Sequence, residues 1–336
     1  MPVVAKPYPL LHSVALVWGL SMSDPCITVE GVMKRFGAYT AVDDLSFDVP
    51  AGIICGFLGP NGAGKTTSVR MMLDIIRPDH GAITVLGKPS TDQQRERIGY
   101  LPEEKGLYKK MSAREVIAYL AGLKGVAYSE ALRRADDLLE RYGLGENKRT
   151  KIEHLSRGMS QKVQVLATIA HEPELVILDE PFSGLDPVNQ QTLEDLIRDL
   201  KARGATILFS THVMQHAERL CDHIILLARG RKVFDGTLPG ARALLPQRVK
   251  IRCAASVPSD RFASFGSATV TPDGPDQDIE IALGNGASPR DILTACMDSG
   301  SGLSNFAVEE PSLHDVFVHL VGQHDAVGTA PGETQS

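Results

Sequence analysis

Apolar and polar positions alternate over residues 26–36, CITVEGVMKRF, and again over 45–52, LSFDVPAG, which predicts an antiparallel strand pair. The pair leads into IICGFLG at 53–59, a continuous apolar run that reads as a buried strand entering a glycine-rich loop. TSVRMMLDII then carries apolar residues at helical spacing and stops at RPDHG, and AITVLG returns to strand. From about Ser112 to Ala170 the pattern is helical: SAREVIAYLAGLKG, SEALRRADDLLERYGLG, and a helix opening at Ser156 with Met159, Val163, Leu166 and Ala170 on one face. Strands resume with ELVILDE and ATILFS. The helix between them has Asp186 at its N-cap, Pro187 at its first position and Gly204 just past its end. HIILLARGRKVFDG reads as a hairpin.

This order predicts an α/β fold, a mostly parallel sheet with crossover helices, an antiparallel β subdomain and an all-helical insert over about 105–170. After Pro246 the texture changes. RVKIRCA, ATVTP, IEIAL and LSNFAVEE read as strands, SDRFASF and SPRDILTACMDSG as helices between them, and PSLHDVFVHLVG as a closing helix. That β-α-β-β-α-β order suggests a small ferredoxin-like domain over 247–322. QHDAVGTAPGETQS, at 323–336, has few apolar residues and is expected to be a disordered tail. The first apolar stretch, LLHSVALVWGLSM, falls short of the ~20 residues that span a bilayer and lacks an Ala-x-Ala cleavage pattern. Residues 1–21 read as an upstream extension, with Met22 as the natural start.

A net charge of −6 leaves no global basic footprint, so nucleic acid is not an expected partner. The cluster Lys148, Arg149, Lys151 is local and reads as a solvated helix end. Five scattered cysteines suit buried thiols in a reducing cytosol better than a disulfide framework.

The chemistry concentrates in a few short stretches. GPNGAGKTT spans Gly59, Pro60, Asn61, Gly62, Ala63, Gly64, Lys65, Thr66 and Thr67. It fits the phosphate-loop pattern, with a strand before it and a helix after. Its backbone N–H groups would turn inward on phosphates, Lys65 would bring a point charge to the outer ones, and the Thr66 hydroxyl would bind Mg²⁺. LVILDE places Asp179 and Glu180 at the end of an apolar strand, where ligands bind on a parallel sheet. Asp179 is expected to hold Mg²⁺ through water and Glu180 to polarise an attacking water. HLSRGMSQK opens a second helix whose free N–H groups and positive dipole end suit another anion. Within one chain that site is surplus; it makes sense against a nucleotide held by another chain.

LSRGMSQK resembles the signature motif of ATP-binding cassette (ABC) proteins, and VILDEP, SGLDP and STH follow at the family's usual spacing. The resemblance covers about Cys26 to Thr237, with a cassette domain over 22–240, and implies an ATP-hydrolysing subunit using ATP and Mg²⁺. Two such domains close head to tail in that family, each ATP lying between the phosphate loop of one and the signature of the other. By that match Ser156, Arg157, Gly158 and Met159 contact the partner's ATP, and Asp186 is the acid of the loop crossing the dimer interface. His212 sits near the γ-phosphate and the attacking water. Phe36 takes the place of the aromatic that stacks on adenine, with Tyr39 second. His212 and His216 have i,i+4 metal spacing but lack the glutamate of the His-Glu-x-x-His motif.

Two departures stand out. Glu103 occupies the position of the family's Mg²⁺-touching Gln, and Arg157 and Met159 replace a Gly and the Gln of the usual signature. Both, with PEEKGLYKKM, resemble the ATPases of bacterial sodium-extrusion and drug-efflux exporters, which also carry a small C-terminal domain. The resemblance implies a peripheral subunit on the cytoplasmic face of the membrane, with an integral-membrane permease and a second copy of the cassette, or a paralogue, as partners. The alternative is a soluble ABC ATPase acting on ribosomes or DNA; such members carry two cassettes or long coiled coils, and this chain shows one cassette and no sustained heptads. A small-molecule kinase has no use for the signature helix or the SGLD loop.

Overall fold

The computed structural model describes residues 25–89, 92–104, 106–254, 262–284, 286–298 and 302–328. The alternation at 26–36 folds as β1 (Pro25–Phe36), paired antiparallel with β2 (Tyr39–Pro50), the register running from Pro25↔Pro50 to Phe36↔Tyr39. The apolar run after them is β3 (Ile54–Leu58), buried along its whole length, and the phosphate loop follows it directly into α1 (Lys65–Met72). Next come β4 (His80–Val85) and β5 (Lys88–Pro89), which complete a four-stranded sheet in the order β2-β1-β4-β5.

The second sheet has six strands, in the order β10-β9-β3-β8-β7-β6. Here β6 is Ile98–Leu101, β7 Leu175–Asp179, β8 Thr206–Thr211, β9 His223–Ala228 and β10 Arg231–Gly236. All neighbours pair in parallel except the β9–β10 hairpin. The buried runs of β3, β7 and β8 fit that topology, because parallel strands are covered on both faces and need apolar residues throughout. One core joins both sheets to α1: Phe47 of β2 meets Phe57 of β3 at 5.4 Å between ring centroids, and Val69, Met71 and Met72 of α1 pack into the same cluster.

Between β6 and β7 lies the helical insert. It contains α2 (Ala113–Gly122), α3 (Tyr128–Arg141) and α4 (Arg157–Ile169). Ser112 and Glu115 form a complete capping box at the start of α2, and α3 buries Ala131, Ala135 and Leu139 on one stripe. Between β7 and β8 runs α5 (Pro187–Ala202), with Asp186 capping it and Pro187 in the first turn. Gly204 follows its C-terminus at φ 92°, the left-handed conformation that closes helices. A short α6 (Met214–Leu220) connects β8 to β9.

The chain separates into two compact units, up to Gly236 and from Thr237. The second begins with α7 (Leu238–Arg242) and builds a four-stranded antiparallel sheet in the order β12-β13-β11-β14. Its strands are β11 (Arg248–Ala254), β12 (Gly266–Asp273), β13 (Asp276–Leu283) and β14 (Asn305–Glu309), with α8 (Pro289–Asp298) before β14 and α9 (Leu313–Gly328) after it. Taken in chain order that is 2-3-1-4, the ferredoxin-like arrangement. Of the expected helix at 259–265, residues 259–261 lie outside the described residues and 262–265 form a turn around the buried Phe262. The tail also departs from expectation at its start: α9 runs on to Gly328. Ser312 and Asp315 cap this helix at its start, and a formed helix adds residues at little cost, one hydrogen bond per residue fixed. Residues 1–24 and 329–336 lie outside the described residues.

Candidate functional site

Strand register brings the chemistry to one level. Leu101 of β6 pairs with Leu178, Asp179 with Ser210, and Thr211 with Leu58. The loop at Gly59, the Asp179–Glu180 pair, the Ser210–His212 stretch and Glu103 therefore all leave the carboxyl ends of neighbouring strands, where parallel sheets hold ligands.

The phosphate loop is shaped by contacts that exclude side chains. A Cβ on Gly59 would stand 2.3 Å from the Leu227 carbonyl oxygen, and one on Gly64 2.5 Å from that of Ala41. Gly64 caps α1 at φ 94° without a side-chain hydrogen bond. Ser112, Ser156, Asp186 and Thr237, by contrast, each cap their helices with a side-chain oxygen. The first turn of α1 thus keeps its N–H groups for an anion. Lys65 is buried, its Nζ donating to Gly59 O at 2.7 Å and Pro60 O at 3.2 Å and facing Glu180 Oε1 at 3.5 Å.

Asp179 is 1% exposed. Its Oδ1 accepts from the Ser210 hydroxyl and, at 3.4 Å, from Thr66 Oγ1. Its Oδ2 is buried without a hydrogen-bond partner. An ionised oxygen left unpaired in a dry site is costly unless a cation takes it. A buried orphan carboxylate oxygen next to a threonine hydroxyl is a hard-oxygen donor set that fits Mg²⁺. Glu103 is exposed, just beyond β6. The Tyr100 phenol reports on both acids: its pKa is raised first by burial, then by the charge of Asp179 and, more weakly, that of Glu103.

Glu180 sits at φ 49°, a left-handed conformation costing about 1 kcal/mol or more for a residue with a side chain. It is held there by its own N–H, which donates to both Ser210 O (3.2 Å) and Ser210 Oγ (3.1 Å). Its carboxylate faces His212 Nδ1. His216 points elsewhere, onto Phe182 and Glu194, and His223 pairs with Asp235, so the i,i+4 histidines have separate surroundings.

The second anion motif is built as a capped helix end. Ser156 Oγ accepts from Met159 N at 3.2 Å. Ser156 and Arg157 are exposed, while Gly158 and Met159 are half-buried. A Cβ on Gly158 would meet Asn189 Nδ2 at 2.7 Å. Asn189 in turn donates its backbone N–H, at 3.0 Å, and its amide to Asp186, which lowers the Asp186 pKa. The signature turn and the Asp186 loop are thus neighbours, both at the surface. Within this unit, Gln161 of α4 reaches Pro181 O at 3.4 Å, tying the signature helix to the residue after Glu180.

Phe36 is 51% exposed, which excludes a core role. Lys34 Nζ lies 5.7 Å from its ring centroid. Tyr39, opposite it at the β1–β2 turn, donates its hydroxyl to Gly62 O at 3.2 Å and so ties that turn to the phosphate loop. Sequence reasoning missed Ser210, which touches both acids, and Phe182. The STH stretch points to its histidine, and nothing local marks its serine as the hydroxyl that donates to the Asp179 carboxylate and accepts from the Glu180 N–H.

A family model for ABC transporters matches residues 42–183, and one for the C-terminal domain of DrrA1-3-like ATP-binding proteins matches 246–321. The uncharacterized ABC transporter ATP-binding protein YhaQ of Bacillus subtilis strain 168 is 40% identical over 301 residues, 88% of this chain and 98% of YhaQ. The daunorubicin resistance ATP-binding protein DrrA3 of Streptomyces coeruleorubidus is 32% identical over 327 residues, 92% of this chain and all (100%) of DrrA3. Among solved structures, an ATP-binding subunit of an ABC transporter superposes with a TM-score of 0.60 at 34% identity, over 65% of this chain and 92% of that one.

Proposed function

The chain belongs to the ATP-binding proteins of ABC transporters, ATPases coupled to transport, and on that premise we propose the roles its residues take. The observation that carries the reading is the layout at the strand ends: a buried lysine, an orphaned Asp179 oxygen beside Thr66, and a glutamate facing a histidine.

ATP lies with its phosphates in the loop Gly59–Thr67, with Lys65 turned from Gly59 O and Pro60 O toward them. Phe36 stacks on adenine; its exposure and its place on the same turn as Tyr39 support that role. Thr66 and Asp179 hold Mg²⁺, and Glu103 adds a carboxylate at the same level. Bound Mg²⁺ supplies charge neutralisation of the phosphate oxygens. Glu180 is the general base: it takes a proton from the attacking water as the bond from that water's oxygen to the γ-phosphorus forms and the bond from the γ-phosphorus to the β–γ bridging oxygen breaks, releasing phosphate and ADP. His212 fixes its carboxylate and faces the γ-phosphate. Positioning and electrostatics do most of phosphoryl transfer, and Ser210 supplies positioning to both acids.

Ser156, Arg157, Gly158 and Met159 contact the ATP held by a second copy, and Asp186 crosses that interface. Their surface position next to one another supports a shared role. No described helix is long and apolar enough to cross a membrane; the pathway belongs to a separate permease, and this subunit works at the cytoplasmic face. Glu103 to Met111 is the dock for that permease. The resemblance to the drug-resistance protein DrrA3 favours export.

Mixing tests the head-to-tail dimer. Lys65→Ala disables a subunit's own phosphate loop and Ser156→Arg its signature. Each variant alone should be inactive, yet a mixture should recover ATPase activity, because a mixed dimer keeps one site with an intact loop and an intact signature. A mixture as inactive as its components would overturn the shared site. Gentle solubilisation of the tagged chain from its own cell should bring a stoichiometric multi-spanning protein with it.

A further inference from the structure

Phe182 lies two residues past Glu180 and is buried. One segment grips its ring from two sides. Phe209 of β8 meets it edge-on, with centroids 5.8 Å apart and planes at 81°. His216 of α6 lies flat on it, at 4.0 Å and 12°. Phe209 precedes His212 and His216 follows it, so both rings flank the residue that meets Glu180. The Glu180–His212 contact therefore has a buried companion, one step further along each loop.

This companion has more to hold than an ordinary core contact. Helix α6 is 7 residues long with no side-chain hydrogen bond at its N-cap, and helices that short are unstable alone. Side-chain packing decides where it sits, and with it His212. His216 is 6% exposed, and its Nδ1 faces Glu194 Oε1 at 3.5 Å. Glu194 is itself 1% exposed. It belongs to α5, the helix capped by Asp186, and Arg198 of α5 and Arg219 of α6 approach its carboxylate at 3.4 and 3.6 Å. His216 thus touches the loop after Glu180 with its face and the Asp186 helix with its edge. Burial lowers its pKa, against the pull of Glu194, which favours the neutral ring that a flat stack on Phe182 accommodates.

We propose that His216, stacked on Phe182 and backed by Glu194, is a positioning residue for hydrolysis that holds the His212 loop at its working distance from Glu180. The proposal rests on the roles of Glu180 and His212 given above. It predicts an effect on turnover and none on ATP affinity, because no part of the cluster lies in the phosphate loop.

The test is a double-mutant cycle in the full chain, read by phosphate release under single-turnover conditions and by binding of a fluorescent ATP analogue. His216→Ala and Phe182→Leu should each lower the hydrolysis rate roughly 10- to 100-fold, the cost of displacing reacting groups by about an ångström, with nucleotide affinity unchanged. His216→Phe, which keeps a flat ring on Phe182, should restore most of the rate. In a His212→Ala background, His216→Ala should cost nothing further, since there is no longer a histidine to place. Full activity in His216→Ala, an equal loss in both backgrounds, or a loss of affinity in place of rate overturns the proposal. If His216→Ala does not fold, Phe182→Leu carries the same cycle. Parental activity in His212→Ala would remove the reading of His212 itself; an inactive His212→Ala beside a fully active His216→Ala removes only the proposal.

Discussion

His212 presents Nδ1 at 3.1 Å to both carboxylate oxygens of Glu180. A carboxylate can only accept hydrogen bonds, so Nδ1 is the donor whenever this contact is made to the carboxylate form. Nε2 is then free of that contact. The other side of Glu180 is fixed by Ser210, through two acceptors on one N–H. Glu180 is thus aimed by the strand next to its own, and its left-handed backbone is kept in place by that strand.

Replacing Glu180 by Gln keeps the shape and removes the carboxylate proposed as the base. Phosphate release should fall roughly 10²- to 10⁴-fold, the usual contribution of a general base. ATP should still bind, and the ATP-bound dimer should accumulate on gel filtration. An enzyme that turns over normally would take the base role from Glu180.

Ser210→Ala removes the hydroxyl that donates to Asp179 and accepts from the Glu180 N–H. Ser210 O still accepts from that N–H, so the backbone should hold while Asp179 loses its orienting donor. The Mg²⁺ concentration for half-maximal ATPase activity should rise about 10-fold, as expected when a ligand's supporting hydrogen bond is lost. A Mg²⁺ titration at saturating ATP reads this directly, and an unchanged midpoint would mean that Asp179 does not meet the metal.

Phe36→Ala should raise the KM for ATP roughly 5- to 150-fold with kcat unchanged, since stacking one base on an aromatic ring contributes about 1–3 kcal/mol. Trp at this position should restore affinity. With Phe36 51% exposed, stability should stay within about 0.5 kcal/mol of the parent. An unaltered KM would shift the adenine contact to Tyr39.

Stability should also depend on pH through His171. Burial, with smaller contributions from the charges of Lys124 and Arg134, lowers its pKa to about 4, against a hydrogen bond to Ile98 O that raises it. The folded-state value is below the ordinary 6.5, so the unfolded chain binds the proton first. The contribution is therefore complete above pH 6.5 and is lost as pH falls from there toward 4. Denaturant unfolding at pH 7 and pH 5 should differ by about 1–2 kcal/mol from this group, and His171→Gln should flatten that part of the slope.

Much of this molecule is written in short-range chemistry. Asp186, Pro187 and Gly204 bracket α5 because caps and breakers act within one helical turn. Ser156 can be read as a cap for the same reason, and the glycine spacing before Lys65 shows a phosphate loop because the loop's shape is local. Only the tertiary structure decided what those pieces meet. β3 lies between β8 and β9, strands more than 140 residues further on, which brings the phosphate loop to their ends, and the β7–β8 pairing sets Ser210 beside Asp179 and His212 against Glu180. The flat stack of His216 on Phe182 and the unpaired oxygen of Asp179 are likewise products of packing between distant segments. Periodicity and capping report on a residue's neighbours three or four positions away; which side chain stands across a sheet depends on how apolar surfaces from the whole chain close on one another.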